Sequence, residues 1–195
     1  MTDKRIILAS KSPRRKYLME QAGFDVEVRT YDVEEIYPND LELKSVPEYL
    51  AKLKTGPAVE SLQKNELLIA ADTIVLFEGK ILGKPEDKNQ AKDYIKRMSD
   101  TSHEVITGVC IKTLEKQHSF SVVSKVLFAP ISDAEIDYYV NNFKPYDKAG
   151  AYGIQDWIGW TKIKSIEGSY SNIMGLPMHE VYEALKEIDS TTMTV

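Results

Sequence analysis

The chain has 195 residues, 43% of them hydrophobic and 28% charged, with a formal net charge of −5. That is enough apolar material for one ample domain and too much for a disordered chain, and the acidic balance excludes general affinity for a nucleic-acid backbone, which needs a basic face. A lone cysteine, Cys110, excludes an internal disulfide, and no apolar run approaches the ~20 residues of a membrane helix or the core of a secretory signal, so a soluble, cytoplasmic protein is expected.

In chain order, residues 5–9 read as a buried strand and 13–22 as a helix ending at Gly23, with Leu18 and Ala22 on one face. Phe24 to Arg29 alternates like a strand. A helix is predicted from Val46 to about Lys54, disturbed by Thr55-Gly56-Pro57. Leu67 to Phe77 reads as a long strand with a turn at Glu78-Gly79 and a short return through Ile81-Leu82. Asp87 to Met98 is helical. His103 to Thr113 and Ser119 to Phe128 suggest a hairpin turning near Glu115-Lys116. Ser132 with Glu135 forms a capping-box signature for another helix, and Pro177 starts a last one, through Ile188. No linker or repeat divides the chain. The expectation is a single α/β domain over 1–195: a curved mixed sheet flanked by helices, two-lobed with a central cleft.

Four stretches carry chemistry. After the first strand, Ser12 suits an N-cap and Pro13 a first helical position, which puts Arg14 and Arg15 in the first turn. Each cation there opposes the helix dipole at a cost of roughly 0.3–1 kcal/mol. A helix start after a strand is a ready anion site, and arginine's planar fork matches phosphate oxygens. The competing reading is a pair of arginines facing solvent or a surface carboxylate. Asp72 interrupts the apolar run Ile69 to Val75. A buried carboxylate must be paired, so it is either a structural aspartate satisfied by a lysine or backbone donors, or one that holds Mg²⁺ or activates water. Gly83-Lys84-Pro85 presents a stiffened lysine suited to phosphate or simply to a turn. In Asp147 to Gln155, two glycines and two alanines indicate close backbone packing, and the Gln155 amide can read a base edge.

Other signals are weak. There is no phosphate-binding loop of the Walker type and no dinucleotide fingerprint, and His103, His118 and His179 have no zinc-like spacing. Cys110 reads as a small buried apolar residue. One of Glu34 and Glu35 would complete a magnesium site if it approached Asp72. Spacing alone indicates a phosphate-ester or nucleotide binder.

Taken together, the stretches Leu8-Ala9-Ser10-x-Ser12-Pro13-Arg14-Arg15, Ala71 to Val75, Gly83-Lys84-Pro85, Ser102-His103-x-Val105-x-Thr107-Gly108-Val109, Asp147 to Gln155 and Gly168 to Pro177 resemble the Maf family of nucleoside triphosphate pyrophosphatases. They run in family order over nearly the whole chain. The resemblance implies a two-lobed fold shared with inosine triphosphate pyrophosphatases and cleavage between the α- and β-phosphates. It implies Asp72 as proton acceptor, and phosphate or metal roles for Ser10, Arg15, Glu35, Lys54 and Lys84, with Glu35 and Asp72 holding the divalent cation, Mg²⁺ or Mn²⁺. Arg14, Thr73 and Gln155 take substrate-specificity positions and look like the branch acting on dTTP and UTP. A homodimer is implied, with neither nucleic acid nor membrane as partner. Alternatives are a nucleotide-binding regulator of septum formation and a 7-methyl-GTP pyrophosphatase. Two departures stand out: Thr55-Gly56-Pro57 after Lys54, and Asp156-Trp157 in place of the usual glycine after Gln155.

Overall fold

The computed structural model describes residues 4–190. Seven strands form one mixed sheet in the order β2 (Val26–Val28), β1 (Arg5–Leu8), β3 (Glu66–Phe77), β5 (Ser102–Lys112), β6 (Gln117–Phe128), β7 (Ile163–Glu167), with β4 (Lys80–Leu82) paired to β3. Helices flank it. The long strands β3 (Glu66–Phe77), β5 (Ser102–Lys112) and β6 (Gln117–Phe128) each contribute residues to both of two compact units. The first comprises Met1–Asp72, Thr107–Val122 and Gly175–Val195; the second comprises Thr73–Ile106 and Val123–Met174. No described helix is long and apolar enough to cross a membrane.

In the first unit β1 (Arg5–Leu8) lies parallel to both β2 (Val26–Val28) and β3. Parallel strands are covered on both faces, which is why both read as unbroken apolar runs. Ile6, Leu8, Leu67 and Ile69 point into one core with Met19, Ile111 and Val181. The alternate residues Ile7, Ala9, Leu68 and Ala70 pack with Ala58 and Leu62. Helix α1 (Pro13–Gln21) buries Met19, with Leu18 and Ala22 only partly covered. Helix α7 (Met178–Ser190) closes the chain; the polar tail expected to fray beyond it lies outside the described residues.

Helix α2 (Val46–Val59) corrects one expectation, because it continues through Thr55-Gly56-Pro57. Proline inside a helix removes a backbone donor and costs ~3 kcal/mol in an isolated one. Here Thr55 and Ala58 are buried in the unit, and Thr55 Oγ1 donates to the Lys52 carbonyl at 2.7 Å, so packing overrides propensity. The helix also starts against β5: a Cβ on Gly108 would lie 2.1 Å from the Glu48 nitrogen. Cys110 is fully buried, and that burial pushes its thiol pKa up against the opposing effect of a contact with Thr55.

In the second unit α3 (Lys88–Met98) is capped by Asp87, whose carboxylate accepts from the Gln90 N–H at 2.8 Å. Helix α4 (Asp133–Phe143) carries the expected capping box between Ser132 and Glu135. Three short elements had no sequence signal: α5 (Trp157–Lys162), the exposed strand β7 (Ile163–Glu167) and α6 (Tyr170–Met174). Gly150 is doubly constrained, with φ +67° and a Cβ position only 2.8 Å from the Val75 side chain.

His103 is a core histidine. Its Nε2 meets the Tyr152 hydroxyl at 2.7 Å, its ring packs on Phe128, and Nδ1 has no hydrogen-bond partner among the described residues. Burial lowers its pKa to about 4. The unfolded chain, with an ordinary histidine, then binds one more proton between pH 6.5 and 4, so stability is lost as pH falls through that window, by about 3 kcal/mol at its lower end. His103→Gln, which preserves a partner for Tyr152, is expected to flatten the difference between urea midpoints at pH 7 and pH 4.5. An unaltered difference would assign the acid lability elsewhere.

Candidate active site

The strand-to-helix junction after β1 holds the first cluster. Ala9 still bonds to β3 through its N–H and the Ile69 carbonyl (2.8 Å), and the chain then turns at Ser10. Ser10 is buried, and its Oγ accepts from the Ser12 N–H and from Arg15, both at 3.2 Å. Ser12 occupies the N-cap position, but its side chain makes no capping bond, contrary to its sequence preference. The turn is closed through Ser10 instead. Arg15 swings back across the helix start and donates from Nε to the Gly175 carbonyl at 2.8 Å. Half-buried, it is held by protein groups on two sides and does not merely pair with a surface carboxylate. Burial lowers the Arg15 pKa, opposed by the nearby charges of Asp72 and Glu35, while neighbouring Arg14 adds to the lowering. An arginine remains charged under such a shift. The result is a partly desolvated cation in the field of two carboxylates.

Asp72, only 8% exposed, sits in the middle of β3. Its Oδ1 accepts from Lys54 Nζ at 2.5 Å, and the same ammonium lies 3.0 Å from Glu35 Oε1. Glu35, not Glu34, is brought in by the loop after β2, and Lys54 is delivered by α2. The lysine-satisfied reading of Asp72 is thus realised, and by a residue with its own expected role. Two carboxylates converge on a single cation. That donor set fits a hard divalent ion, which commonly takes one or two carboxylates and completes its shell with substrate phosphates and water. Among the described residues no group of three or more His, Cys, Asp or Glu is placed to hold a metal ion.

The remaining candidates lie in the second unit. Thr73 follows Asp72 along β3 and is half-buried. Lys84 is exposed just beyond β4 (Lys80–Leu82). Gly83 is not needed for packing within the chain, since a Cβ there would meet no protein atom within 4 Å; its carbonyl accepts from the Gly150 N–H at 3.0 Å. Gln155 precedes α5, and its Oε1 is buried with no hydrogen-bond partner among the described residues. A buried unpaired acceptor costs about 1–3 kcal/mol, so such an atom marks a place where a donor belongs.

Sequence reasoning missed two charged arrangements. Glu66, fully buried at the start of β3, is held by Arg29 through 2.9 Å and 2.5 Å contacts and by the Gln63 N–H at 3.0 Å. The only signal was a glutamate abutting the run Leu67 to Ala71. Asp156, noted as a departure, accepts from the Tyr139 hydroxyl at 2.8 Å. The carbonyl of Gly175 is the third surprise, since the motif gave no hint that it meets Arg15.

The family described as Maf-like protein matches residues 5–188. A protein of Bacteroides thetaiotaomicron called dTTP/UTP pyrophosphatase is 51% identical over 94% of this chain and 95% of its own. One of Flavobacterium johnsoniae with the same name is 49% identical over 93% of each. Among solved structures, the Staphylococcus aureus Ham1 protein matches 65% of this chain and 72% of its own, with a TM-score of 0.45 and 16% identity.

Proposed function

The chain belongs to the Maf-like protein family, and from that membership together with the site we propose that it hydrolyses dTTP and UTP between the α- and β-phosphates, releasing the nucleoside monophosphate and pyrophosphate. The observation that carries the proposal is the Lys54 ammonium shared by Glu35 and Asp72 beside the Ser10–Arg15 turn. A pure anion binder gains nothing from two carboxylates in its phosphate site. An enzyme that must accept a proton and hold a cation does.

Phosphoryl transfer depends chiefly on positioning and charge neutralisation. Arg15, fixed by Gly175 and Ser10, offers its guanidinium to phosphate oxygens, and the positive end of the α1 dipole adds to the attraction. Arg14 and Lys84 add further positive charge for the triphosphate. Asp72 accepts a proton from the attacking water, and Lys54, bonded to its Oδ1, holds the carboxylate in place. Glu35 and Asp72 would hold Mg²⁺ or Mn²⁺, which supplies charge neutralisation on the phosphates. Gln155, with its spare acceptor, receives the N3–H of a uracil or thymine ring, and Thr73 contributes to the same selection. The enzyme acts as a cytoplasmic homodimer that clears the nucleotide pool.

The test is pyrophosphate release with Mg²⁺ across dTTP, UTP, CTP and 7-methyl-GTP. Turnover of dTTP and UTP, with one pyrophosphate per monophosphate, is the expected result. Binding without turnover would instead identify a regulator, such as one acting in septum formation. Preference for 7-methyl-GTP would overturn the pyrimidine reading.

A further inference from the structure

The loop that carries Gln155 is built with more restraint than a loop needs. Tyr139, fully buried on α4, donates its hydroxyl to Asp156 Oδ2 at 2.8 Å and accepts the Gly153 N–H at 3.0 Å. The Asp156 N–H in turn donates to the Gly153 carbonyl at 3.0 Å. One phenol therefore ties both ends of the four-residue turn 153–156. Trp160 Nε1 donates to the Gln155 carbonyl at 3.0 Å and fixes the main chain between those ends. A Cβ on Gly153 would fall 2.6 Å from Asp156 Oδ2 and 2.8 Å from Gln155 Nε2, so the carboxylate and the amide share the space above that glycine. Lys148 Nζ lies 3.8 Å from the same carboxylate oxygen.

We propose that Tyr139 and Asp156 are a positioning pair that fixes the orientation of the Gln155 amide and thereby sets discrimination between pyrimidine bases. This rests on the reading of Gln155 as the base-recognition residue. The chemistry is specific. Uracil and thymine carry a hydrogen on N3 and donate to an oxygen, whereas cytosine N3 carries none and accepts. An amide has an oxygen on one side and an NH₂ on the other, so a half-turn about its last torsion converts a uracil reader into a cytosine reader. Selectivity requires that this rotation be blocked. The arrangement opposes it by holding the backbone at three points and packing Nε2 against Gly153, which leaves the buried Oε1, without a partner among the described residues, as the acceptor for a ligand's donor. Burial and the adjacent Asp156 push the Tyr139 pKa well above its ordinary value, so the phenol stays a donor at any working pH.

The test compares kcat and KM for UTP, with CTP measured as substrate or competitor, in the parent, Tyr139→Phe, Asp156→Asn, Gln155→Leu and the double variant Tyr139→Phe/Gln155→Leu. Loss of one hydrogen bond to the turn is expected to raise KM for UTP and lower the UTP:CTP preference by about 3- to 10-fold, with kcat little changed. The double variant should discriminate no worse than Gln155→Leu alone, because the pair acts through that amide. A merely structural role would lower the melting temperature of Tyr139→Phe and Asp156→Asn while leaving the preference intact, and that result overturns the proposal. If Gln155→Leu itself keeps the preference, the base-recognition reading falls and the positioning pair with it.

Discussion

Asp72→Asn is expected to lower kcat by at least about 10³-fold, above the low end of the roughly 10²–10⁴-fold that a positioned proton acceptor contributes, because the same carboxylate is also half of the cation site. The replacement is nearly isosteric in a position only 8% exposed, so the strand has no reason to move. What changes is the charge opposite Lys54 and Arg15. An amide does not take a proton from water, and its NH₂ end is repelled by the ammonium that the carboxylate now holds at 2.5 Å. Lys54 retains Glu35 at 3.0 Å, so the site does not collapse. The measurement is single-turnover pyrophosphate release with a thermal melt on the same sample. Turnover within a few-fold of the parent, with the melt unchanged, would remove Asp72 from the chemistry.

Arg29→Met is expected to destabilise the fold by about 3 kcal/mol, the lower end of the cost of stranding one partner of a buried ion pair. Glu66 has no exposed side-chain surface, and Arg29 supplies both of its charged contacts under 3 Å. Arg5 at 3.9 Å and the Gln63 N–H remain, which keeps the loss from being larger. The double variant Arg29→Met/Glu66→Leu should recover most of the loss, since removing both charges leaves nothing unpaired. The pH dependence supplies a second reading. In the parent, Arg29 holds the Glu66 pKa below its ordinary value, so its stabilisation is present above the unfolded pKa and fades as pH falls through the folded one. In Arg29→Met the burial of Glu66 dominates and raises that pKa, so the variant should lose stability as pH rises. Urea midpoints between pH 4 and pH 7 separate the two signs, and a single variant no less stable than the parent would show the pair to be dispensable.

What could be read from residues alone followed physical locality. The β1–α1 junction was legible because an apolar run, a serine, a proline and two arginines stand within ten residues and obey strand and helix-start rules together. The long strands and the capped helix after Ser132 were legible for the same reason. The extension of α2 was not, because Thr55-Gly56-Pro57 argues locally for a break and only the burial of Thr55 and Ala58 reverses it. Nor was the region from 157 to 174, where a six-residue helix and a solvent-facing strand are too short or too uniform to show a period. The Lys54–Asp72 contact spans 18 positions and Arg29–Glu66 spans 37. Family resemblance brought Lys54 into the list of candidates; nothing in the spacing did, and nothing brought in Arg29 at all.

The lone thiol gives the molecule an internal clock. Cys110 lies in β5 two residues from Gly108, the glycine on which the start of α2 rests without room for a methyl group, and it is covered by Thr55 from the same helix. With no exposed surface, that sulfur meets a reagent only when the structure around it opens. The rate at which a thiol-specific dye labels the native protein therefore reports opening at the β5–α2 packing. Since α2 also delivers Lys54, labelling followed with and without nucleotide reports how firmly a filled site holds down the helix that serves it, with no probe introduced and no residue replaced.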